Sequence, residues 1–230
     1  MIYAGIVAGG TGTRMGGDIP KQFLELKGEA ILHRTVRIFA GIKEINAVYI
    51  AVHPDWIEYS GRLLADLNDC ASIKLLPGGE SRNESIQNII NVIAGDKDIT
   101  EEDILITHDS VRPFVSEDII RRNIISASNN CCCTTAIPAT DTILYSPDGN
   151  DITSTLDRTK MFHAQTPQSF RIKAFLEAYE KLTDEQKLTL TDICGIFSAA
   201  GLPVSIVRGD VKNIKITSPF DLDISLAILK

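Results

Sequence analysis

Short apolar segments alternate along the chain with longer segments in which apolar residues recur at helical spacing. The apolar segments predict β-strands at residues 2–7, 47–52, 73–76, 104–107 and 204–207. The periodic segments predict helices at residues 31–40, 56–67, 84–93, 116–127, 173–182 and 192–200, and a last helix that begins at Phe220. Because strands that alternate with helices pair in parallel through right-handed crossovers, the pattern predicts an α/β fold with a mostly parallel sheet.

The alternation is interrupted after Thr134. Proline, aspartate, glycine and asparagine at residues 147–150 separate two short strand-like segments, which is typical of a β-hairpin. We therefore expect a protruding β-arm at about residues 138–162. Because the chain shows no internal repeat, low-complexity tract or linker, residues 1–230 are predicted to form one domain.

Composition and charge narrow the classes of function. The 230 residues are 44% hydrophobic and 23% charged, which is typical of a soluble globular protein. The net charge of -7 argues against a general nucleic-acid-binding surface and still permits a local basic pocket. We expect no membrane partner, because no run approaches the roughly 20 apolar residues of a transmembrane helix. The apolar start is also too short for a signal peptide and lacks its basic residues.

The five cysteines indicate a reducing compartment, so the protein is expected in the cytoplasm. Their number is odd, and they show no C-x-x-C pair of the kind that binds zinc. The consecutive Cys131, Cys132 and Cys133 predict part of a buried strand, since free cysteine behaves as a small hydrophobic residue.

The stretch AGGTGTRMGGDIPKQF, residues 8–23, directly follows the first predicted strand. Carboxyl ends of parallel strands meet at the ligand-binding edge of a sheet, and glycines there let backbone N–H groups approach an anion. A P-loop is excluded, because its lysine and hydroxyl pair is missing, and Met15 stands where the dinucleotide motif needs its third glycine. Two interpretations remain. One is a long loop around a triphosphate with Arg14 and Lys21 as its cations, and the other is an exposed turn with incidental charges.

Four further motifs follow along the chain: PGGESRNES (77–85), THDSVRPF (107–114), LDRTKMFHAQTPQSF (156–170) and RGDVKNIKITSP (208–219). Together with the glycine-rich stretch they resemble, in order and over essentially the whole chain, the cytidylyltransferases that join a sugar or polyol phosphate to CTP. The resemblance implies a three-layer Rossmann-like nucleotidyltransferase fold. It also implies that CTP and a sugar or polyol phosphate are the substrates.

The resemblance further implies how CTP is bound. The nucleotide-binding residues would be Val7, Ala8, Gly9, Gly10, Gly12, Gly79, Glu80, Ser81, Arg82, Asn83, Glu84, Ser85 and Ser110. Ser81 or Asn83 could instead only cap the following helix. Asp109 would bind Mg²⁺, the usual counter-ion of a triphosphate, or would only cap a turn. His108 is interpreted as a packed residue.

Four cations would carry the reaction according to the same resemblance. Arg14 and Lys21 would stabilise charge on the α-phosphate of CTP, and Arg158 and Lys215 would bind the acceptor phosphate. Thr142 would contact the acceptor from the arm. In the resembling family the arm packs across a two-fold axis, so we expect a homodimer in which Arg158 or Thr142 acts in the partner's site. The segment QTPQSF (165–170) is interpreted as architectural, holding the loop that closes the site.

Two acceptors are possible within this family. One branch makes CDP-methylerythritol for isoprenoid synthesis, and the other makes CDP-ribitol for teichoic acid and related polymers. MIYAGIVAGG, VRPF, AQTPQSF and the long helix-loop before Thr191-Asp192 resemble the second branch, so D-ribitol 5-phosphate is the expected acceptor. DRTKMFHA instead resembles the first branch, and Lys212 stands where some relatives carry an acid.

Two other classes of protein also begin with a strand and a glycine-rich loop. A short-chain dehydrogenase needs a tyrosine and a lysine four residues apart and an acid after the second strand. None of the five tyrosines has such a lysine, and His53-Pro54 follows the second strand. A non-catalytic nucleotide-binding module differs from an enzyme in one observable property, the release of pyrophosphate.

Overall fold

Residues 1–10, 19–68, 71–190 and 192–230 are described by a computed structural model of the chain. Over these ranges the strands are β1 (Ile2–Ala8), β2 (Glu25–Leu26), β3 (Glu29–Ala30), β4 (Ala47–Val52), β5 (Ile73–Pro77), β6 (Ile104–Asp109), β7 (Cys132–Pro138), β8 (Ile143–Tyr145), β9 (Ser154–Leu156), β10 (Phe162–Arg171) and β11 (Ser205–Arg208). The helices are α1 (Ile31–Ala40), α2 (Ile57–Leu63), α3 (Arg82–Asp96), α4 (Glu117–Asn130), α5 (Ile172–Glu180), α6 (Asp184–Thr189), α7 (Ile193–Ala199) and α8 (Pro219–Ile228).

One mostly parallel sheet organises the molecule, with the strand order β11-β7-β10-β6-β1-β4-β5. Strand β10 is antiparallel to both of its neighbours, β6 and β7, and the other pairings are parallel. The apolar runs in β1, β4 and β6 are buried because helices cover both faces of the sheet.

Two hydrophobic clusters fill the space between the sheet and its helices. Residues of α1 and α4 pack on one face, where Leu32, Phe39 and Ile120 are fully buried. Residues of α3, α5 and α7 pack on the other face, where Ile89 and Phe175 are fully buried. The structure is therefore a three-layer α/β fold, and the predicted fold class is confirmed.

Several boundaries differ from the sequence prediction. The helix predicted at 56–67 is broken: α2 is flanked by 3-10 turns at Pro54–Trp56 and Ala65–Leu67, since Leu64 leaves the helical region with φ -105° and ψ 8°. Strand β10 and helix α6 are elements that the hydrophobic pattern did not predict. QTPQSF therefore lies in a strand of the sheet. Its architectural interpretation holds, because Gln165 Nε2 donates to Asp210 O and Thr166 O accepts from Asn213 Nδ2 in the loop before Lys215. That this loop closes the site stays a prediction.

The cysteine run is split between two elements. Cys132 and Cys133 are fully buried in β7, as predicted. Cys131 is exposed and ends α4 with a φ of 63° and its N–H donated to Ala127 O, so the prediction of a buried strand residue was wrong there.

The predicted hairpin is present as β8 and β9, which pair antiparallel with Ile143 opposite Leu156. That residues 1–230 form one domain stays a prediction. None of the helices in the described ranges combines the length and the apolarity that a membrane crossing requires.

Candidate active site

A cleft lies at the carboxyl ends of β1, β5 and β6. These ends meet at one edge because the strands are parallel, with Val7 paired to Asp109 across β1 and β6. Among the described residues, the cleft is lined by Val7, Gly9, Gly10, Lys21, Gln22, Gly79, Glu80, Ser81, Arg82, Ser85, Asp109, Ser110, Val111 and Lys215. All of these except Gln22 and Val111 were predicted as site residues from the sequence.

Three cations surround the carboxylate of Asp109, whose side chain is only 10% exposed. Lys215 Nζ lies 2.9 Å from Oδ2, Arg82 Nε lies 3.3 Å from Oδ1, and Arg112 Nε lies 3.5 Å from Oδ2. Burial alone would raise the pKa of Asp109, but the charges of these cations outweigh it and hold the pKa well below its usual range. Three cations against one carboxylate leave an excess of positive charge, which suits an anionic ligand.

Arg82 has unused hydrogen-bonding capacity in this cleft. Its Nη1 and Nη2 atoms are buried and have no hydrogen-bond partner within the described ranges, while Nε faces Asp109. Unpaired buried donors of this kind are costly. A guanidinium with both terminal nitrogens unpaired matches the two oxygens of a phosphate.

The loop before α3 is held by its own side chains. Ser81 Oγ accepts from Glu84 N–H as the helix cap, Ser85 Oγ accepts from Gly79 N–H, and Glu84 Oε2 accepts from Glu80 N–H. A methyl group on Gly79 would lie 2.5 Å from Glu84 Cβ, so this position requires glycine. The predicted cap is therefore present at Ser81. Because the Gly79 and Glu80 amides donate within the loop, a ligand would compete with these bonds.

The start of the glycine-rich stretch is fixed by Gln22, which the sequence analysis did not single out. Gln22 is buried, and its Nε2 donates to Ala8 O at 2.9 Å and to Gly10 O at 3.0 Å. Lys21, its neighbour, lines the cleft beside Gly10. Gly12 and Arg14, both predicted site residues, lie outside the residues that the structure describes.

Five predicted site residues lie away from this cleft's lining in the described part of the chain. Ala8 is in the core, and Asn83 Nδ2 donates to Leu190 O on the side of the segment that carries α6. Glu84 lines a neighbouring pocket with Asn83. Thr142 and Arg158 are exposed in and next to the arm, where Arg158 Nη1 donates to Thr140 O at 3.0 Å.

His108 is buried beside the cleft and is not one of its lining residues. Its nitrogens lie 2.9 Å from Thr166 Oγ1 and 3.1 Å from Arg112 O. Burial lowers the pKa of His108 to about 4, so the imidazole is neutral at neutral pH. A buried neutral histidine cannot bind a phosphate as a cation.

The donor set of the cleft limits how it could hold the Mg²⁺ that the sequence predicts. Within the described ranges, no three histidine, cysteine or acidic side chains come together as a ready-made metal cage. Asp109 offers one ionised carboxylate. Because magnesium is usually bound by one or two carboxylates together with substrate phosphates and water, these residues fit an ion that arrives with a phosphate ligand.

Comparisons with known proteins show the family to which the chain belongs. The model of the IspD family, described as 2-C-methyl-D-erythritol 4-phosphate cytidylyltransferase, matches residues 2–230. The structure is similar to the 4-diphosphocytidyl-2C-methyl-D-erythritol synthase of Anaerococcus prevotii, at 28% identity, a TM-score of 0.82, and coverage of 100% of this chain and 96% of that one.

Two further solved structures are similar over nearly their whole length. The 2-C-methyl-D-erythritol 4-phosphate cytidylyltransferase of Francisella tularensis is 27% identical with a TM-score of 0.78, and 97% of each chain is covered. The enzyme of the same name from Thermus thermophilus is 25% identical with a TM-score of 0.76, covering 99% of this chain and 98% of that one. The chain therefore belongs to the IspD family and is an enzyme, a cytidylyltransferase.

Proposed function

We propose that this enzyme transfers the cytidylyl group of CTP to 2-C-methyl-D-erythritol 4-phosphate and releases pyrophosphate. The full-length match to the family of that name supports this acceptor. The names of the similar structures at 25% identity or more support it too. Our sequence-based preference for D-ribitol 5-phosphate has no such support, and the comparisons favour its alternative.

The observation that carries the proposal is the arrangement of Arg82, Asp109 and Lys215 at the strand ends. Lys215 contacts one oxygen of the Asp109 carboxylate and Arg82 contacts the other. Both terminal nitrogens of Arg82 are buried and have no hydrogen-bond partner in the described part of the chain. The reaction brings together two phosphate groups, which repel each other unless cations lie between them. We assign Arg82 to a phosphate of CTP and Lys215 to the phosphate of the acceptor.

The acceptor phosphate needs no protein base, because the second pKa of a phosphate monoester is near 6 and its oxygen is already a nucleophile at neutral pH. That oxygen attacks the α-phosphorus of CTP, the new P–O bond forms, and the bond to the leaving pyrophosphate breaks. The protein must hold both anions in line and stabilise the charge on the α-phosphate. Lys21, which lines the cleft, and Arg14 are proposed for the second task.

Enzymes of this family generally depend on a divalent metal. Asp109 is the residue that would hold Mg²⁺ here, and the bound ion would neutralise part of the triphosphate charge. Asp109 also contacts Lys215 and Arg82, so the same carboxylate positions the two proposed phosphate-binding cations.

One observation keeps ribitol 5-phosphate as a second candidate. Helix α6 precedes Asp192 and gives the chain the long helix-loop by which it resembles the CDP-ribitol branch. The segment is tied to the cleft, since Leu190 O accepts from Asn83, the residue after Arg82.

An acceptor assay tests the proposal. Purified enzyme is given CTP, Mg²⁺ and either methylerythritol 4-phosphate or ribitol 5-phosphate, and pyrophosphate release is followed together with the ³¹P spectrum of the product. We expect kcat/KM to be roughly 30- to 150-fold higher with methylerythritol 4-phosphate, the discrimination that two hydrogen bonds of about 1–1.5 kcal/mol each would give. The opposite ranking would transfer the proposal to ribitol 5-phosphate. If no pyrophosphate is released with either acceptor, the proposal that the enzyme acts on these polyol phosphates is refuted.

We also propose that the arm packs against a second copy of the chain. Leu144, Tyr145 and Ile152 are large apolar residues of the hairpin that are 52%, 52% and 61% exposed. Several exposed large apolar residues on one short hairpin favour an interaction surface. A dimer would allow Arg158 and Thr142, which lie away from the cleft of their own chain, to contact the acceptor in the partner's cleft.

A further inference from the structure

A turn at residues 109–112 presents Asp109 and Arg112 to each other. His108 contacts the Arg112 end of this turn directly and the Asp109 end through Thr166. His108 Nδ1 lies 2.9 Å from Thr166 Oγ1, and His108 Nε2 lies 3.1 Å from the carbonyl oxygen of Arg112. The side chain is fully buried, with its ring centroid 5.0 Å from that of Phe39. His108 therefore lies behind the turn and has no direct access to a ligand in the cleft.

The hydrogen-bond directions around Thr166 are determined by its neighbours. Asp109 N–H donates to Thr166 Oγ1 at 3.1 Å, so the hydroxyl proton is available for His108 Nδ1. The other ring nitrogen then carries the proton and donates to Arg112 O. Both ring nitrogens of His108 are thus hydrogen-bonded, one to Thr166 and the other to the turn at Arg112.

Strand β10 explains why this support is needed. Its register with β7 shifts between Ala164 and Gln168, and its pairing with β6 begins only at Gln168, opposite Thr107. The ladder between β6 and β10 therefore stops before Asp109, and the buried N–H of Asp109, which faces β10, would be left unpaired. The hydroxyl of Thr166 takes the place of the missing strand partner.

We infer that His108 is a positioning residue for Asp109: with Thr166 it fixes the turn that aims the Asp109 carboxylate at Lys215 and Arg82. The inference rests on the proposed role of Asp109. Loss of the imidazole bonds would leave Arg112 O without its donor and the Thr166 hydroxyl proton without its acceptor, and the turn could satisfy them only by moving. Such a movement would also reach the loop before Lys215, because Arg112 Nη1 donates to Asn213 O in that loop.

The variant that tests this inference is His108→Phe, which keeps a ring of similar size against Phe39 and removes both hydrogen bonds. We measure the KM for CTP and kcat. The value of kcat is expressed per CTP-binding site, so that misfolded protein is not counted. We expect kcat to fall roughly 10- to 100-fold, the scale of a small misplacement of a reacting group. KM for CTP should stay within about threefold, because Arg82 and the glycine-rich loop remain. The matched control is His33→Phe, on the far side of α1, which should leave kcat unchanged.

Conservative variants separate positioning from packing. His108→Asn places an oxygen near the Nδ1 position and should lose less kcat than His108→Phe, because the bond with Thr166 can re-form. A role in packing alone predicts instead that His108→Phe keeps kcat per site within about threefold of wild type, and that result would overturn the inference. If His108→Phe does not fold, Thr166→Val replaces it, with Thr166→Ser as its control. A loss with valine and not with serine supports the inference, and equal activity of both overturns it.

The variant Asp109→Asn, assayed in parallel, separates a failure of the proposed function from a failure of the positioning role of His108. Wild-type activity of Asp109→Asn would refute the role of Asp109 and the inference with it. An inactive Asp109→Asn beside a fully active His108→Phe would leave the proposed function intact and refute only the role of His108.

Discussion

The unpaired guanidinium nitrogens of Arg82 lead to a prediction about binding and stability together. In Arg82→Met, the flexible side chain keeps most of the volume and removes the charge. Because Nη1 and Nη2 are buried without a partner in the described part of the chain, Arg82 contributes little to the stability of the ligand-free fold. Asp109 keeps two cations, Lys215 and Arg112.

The magnitudes follow from the hydrogen bonds gained and lost. Each unsatisfied buried donor costs about 1–3 kcal/mol, so removing two of them offsets the lost ion pair with Asp109. We expect the free energy of unfolding to change by less than about 1 kcal/mol or to increase. A charged hydrogen-bond pair to phosphate is worth about 1.5–3 kcal/mol, so the Kd for CTP should rise roughly 10- to 150-fold.

Two measurements on the same samples test this prediction: CTP titration calorimetry and urea unfolding without ligand. Arg62→Met is the matched control, because Arg62 is 67% exposed and forms a surface ion pair with Glu58 on α2. It should change neither quantity beyond about 0.5 kcal/mol. An Arg82→Met protein with wild-type CTP affinity, or one that loses more than about 2 kcal/mol of stability, would show that Arg82 is a structural residue.

Three other predictions concern the ends of helices and the assembly. Cys131→Gly should raise the free energy of unfolding by about 1 kcal/mol in urea titrations, because the φ of 63° strains any residue with a Cβ; a decrease would contradict this. Asp221→Ala should lower it by about 1 kcal/mol at pH 7, because the Asp221 carboxylate accepts four hydrogen bonds from residues 217–218 at the start of α8. Burial raises the pKa of Asp221, but these donors outweigh it and lower the pKa, so the contribution is present above the unfolded value of about 4 and is lost as pH falls through the lower folded value. Unfolding at pH 7 and at pH 2 should therefore show the gap between wild type and variant shrinking in acid, and a constant gap would refute the assignment. Finally, Arg158→Ala and Lys215→Ala proteins, each nearly inactive alone, are mixed in equal amounts and re-equilibrated. If the arm acts in the partner's site, about half of the dimers are heterodimers with one intact site each, so about a quarter of wild-type activity should return. If the arm acts in its own site, no activity should return.

The inner parallel strands β1, β4 and β6 could be predicted from the sequence because they are buried on both faces and consist largely of apolar residues. Strand β10 could not, because FHAQTPQSFR contains polar residues and a proline. The donor groups of its buried Gln168 and Ser169 bond to β7, α7 and α4: Gln168 Nε2 donates to Thr134 Oγ1 and Cys194 Sγ, and Ser169 Oγ donates to Asn123 Oδ1. Those partners are distant in sequence, so no local pattern contains them.

The same limit applies to the site. Asp109, Arg82 and Lys215 were identified by motif, and the structure brings the charged groups of Arg82 and Lys215 within 3.3 Å of the Asp109 carboxylate. Arg112 and Gln22 were missed, although both stand inside quoted motifs, because their roles depend on contacts with Asp109 and with the backbone of Ala8 and Gly10. In each case the motif itself held a signal: a polar residue that becomes buried needs a hydrogen-bond partner, so Gln22 and Arg112 could have been named as residues that hold the site together.

The central claim is that the cleft between Gly10, Arg82 and Lys215 binds the phosphates on which the reaction occurs. A crystal structure with Mg²⁺ and a non-hydrolysable CTP analogue measures this most directly. We predict the triphosphate at the strand ends, with phosphate oxygens within hydrogen-bonding distance of both Arg82 Nη atoms. A nucleotide bound at another surface, with the two Arg82 nitrogens still unpaired, would contradict the claim.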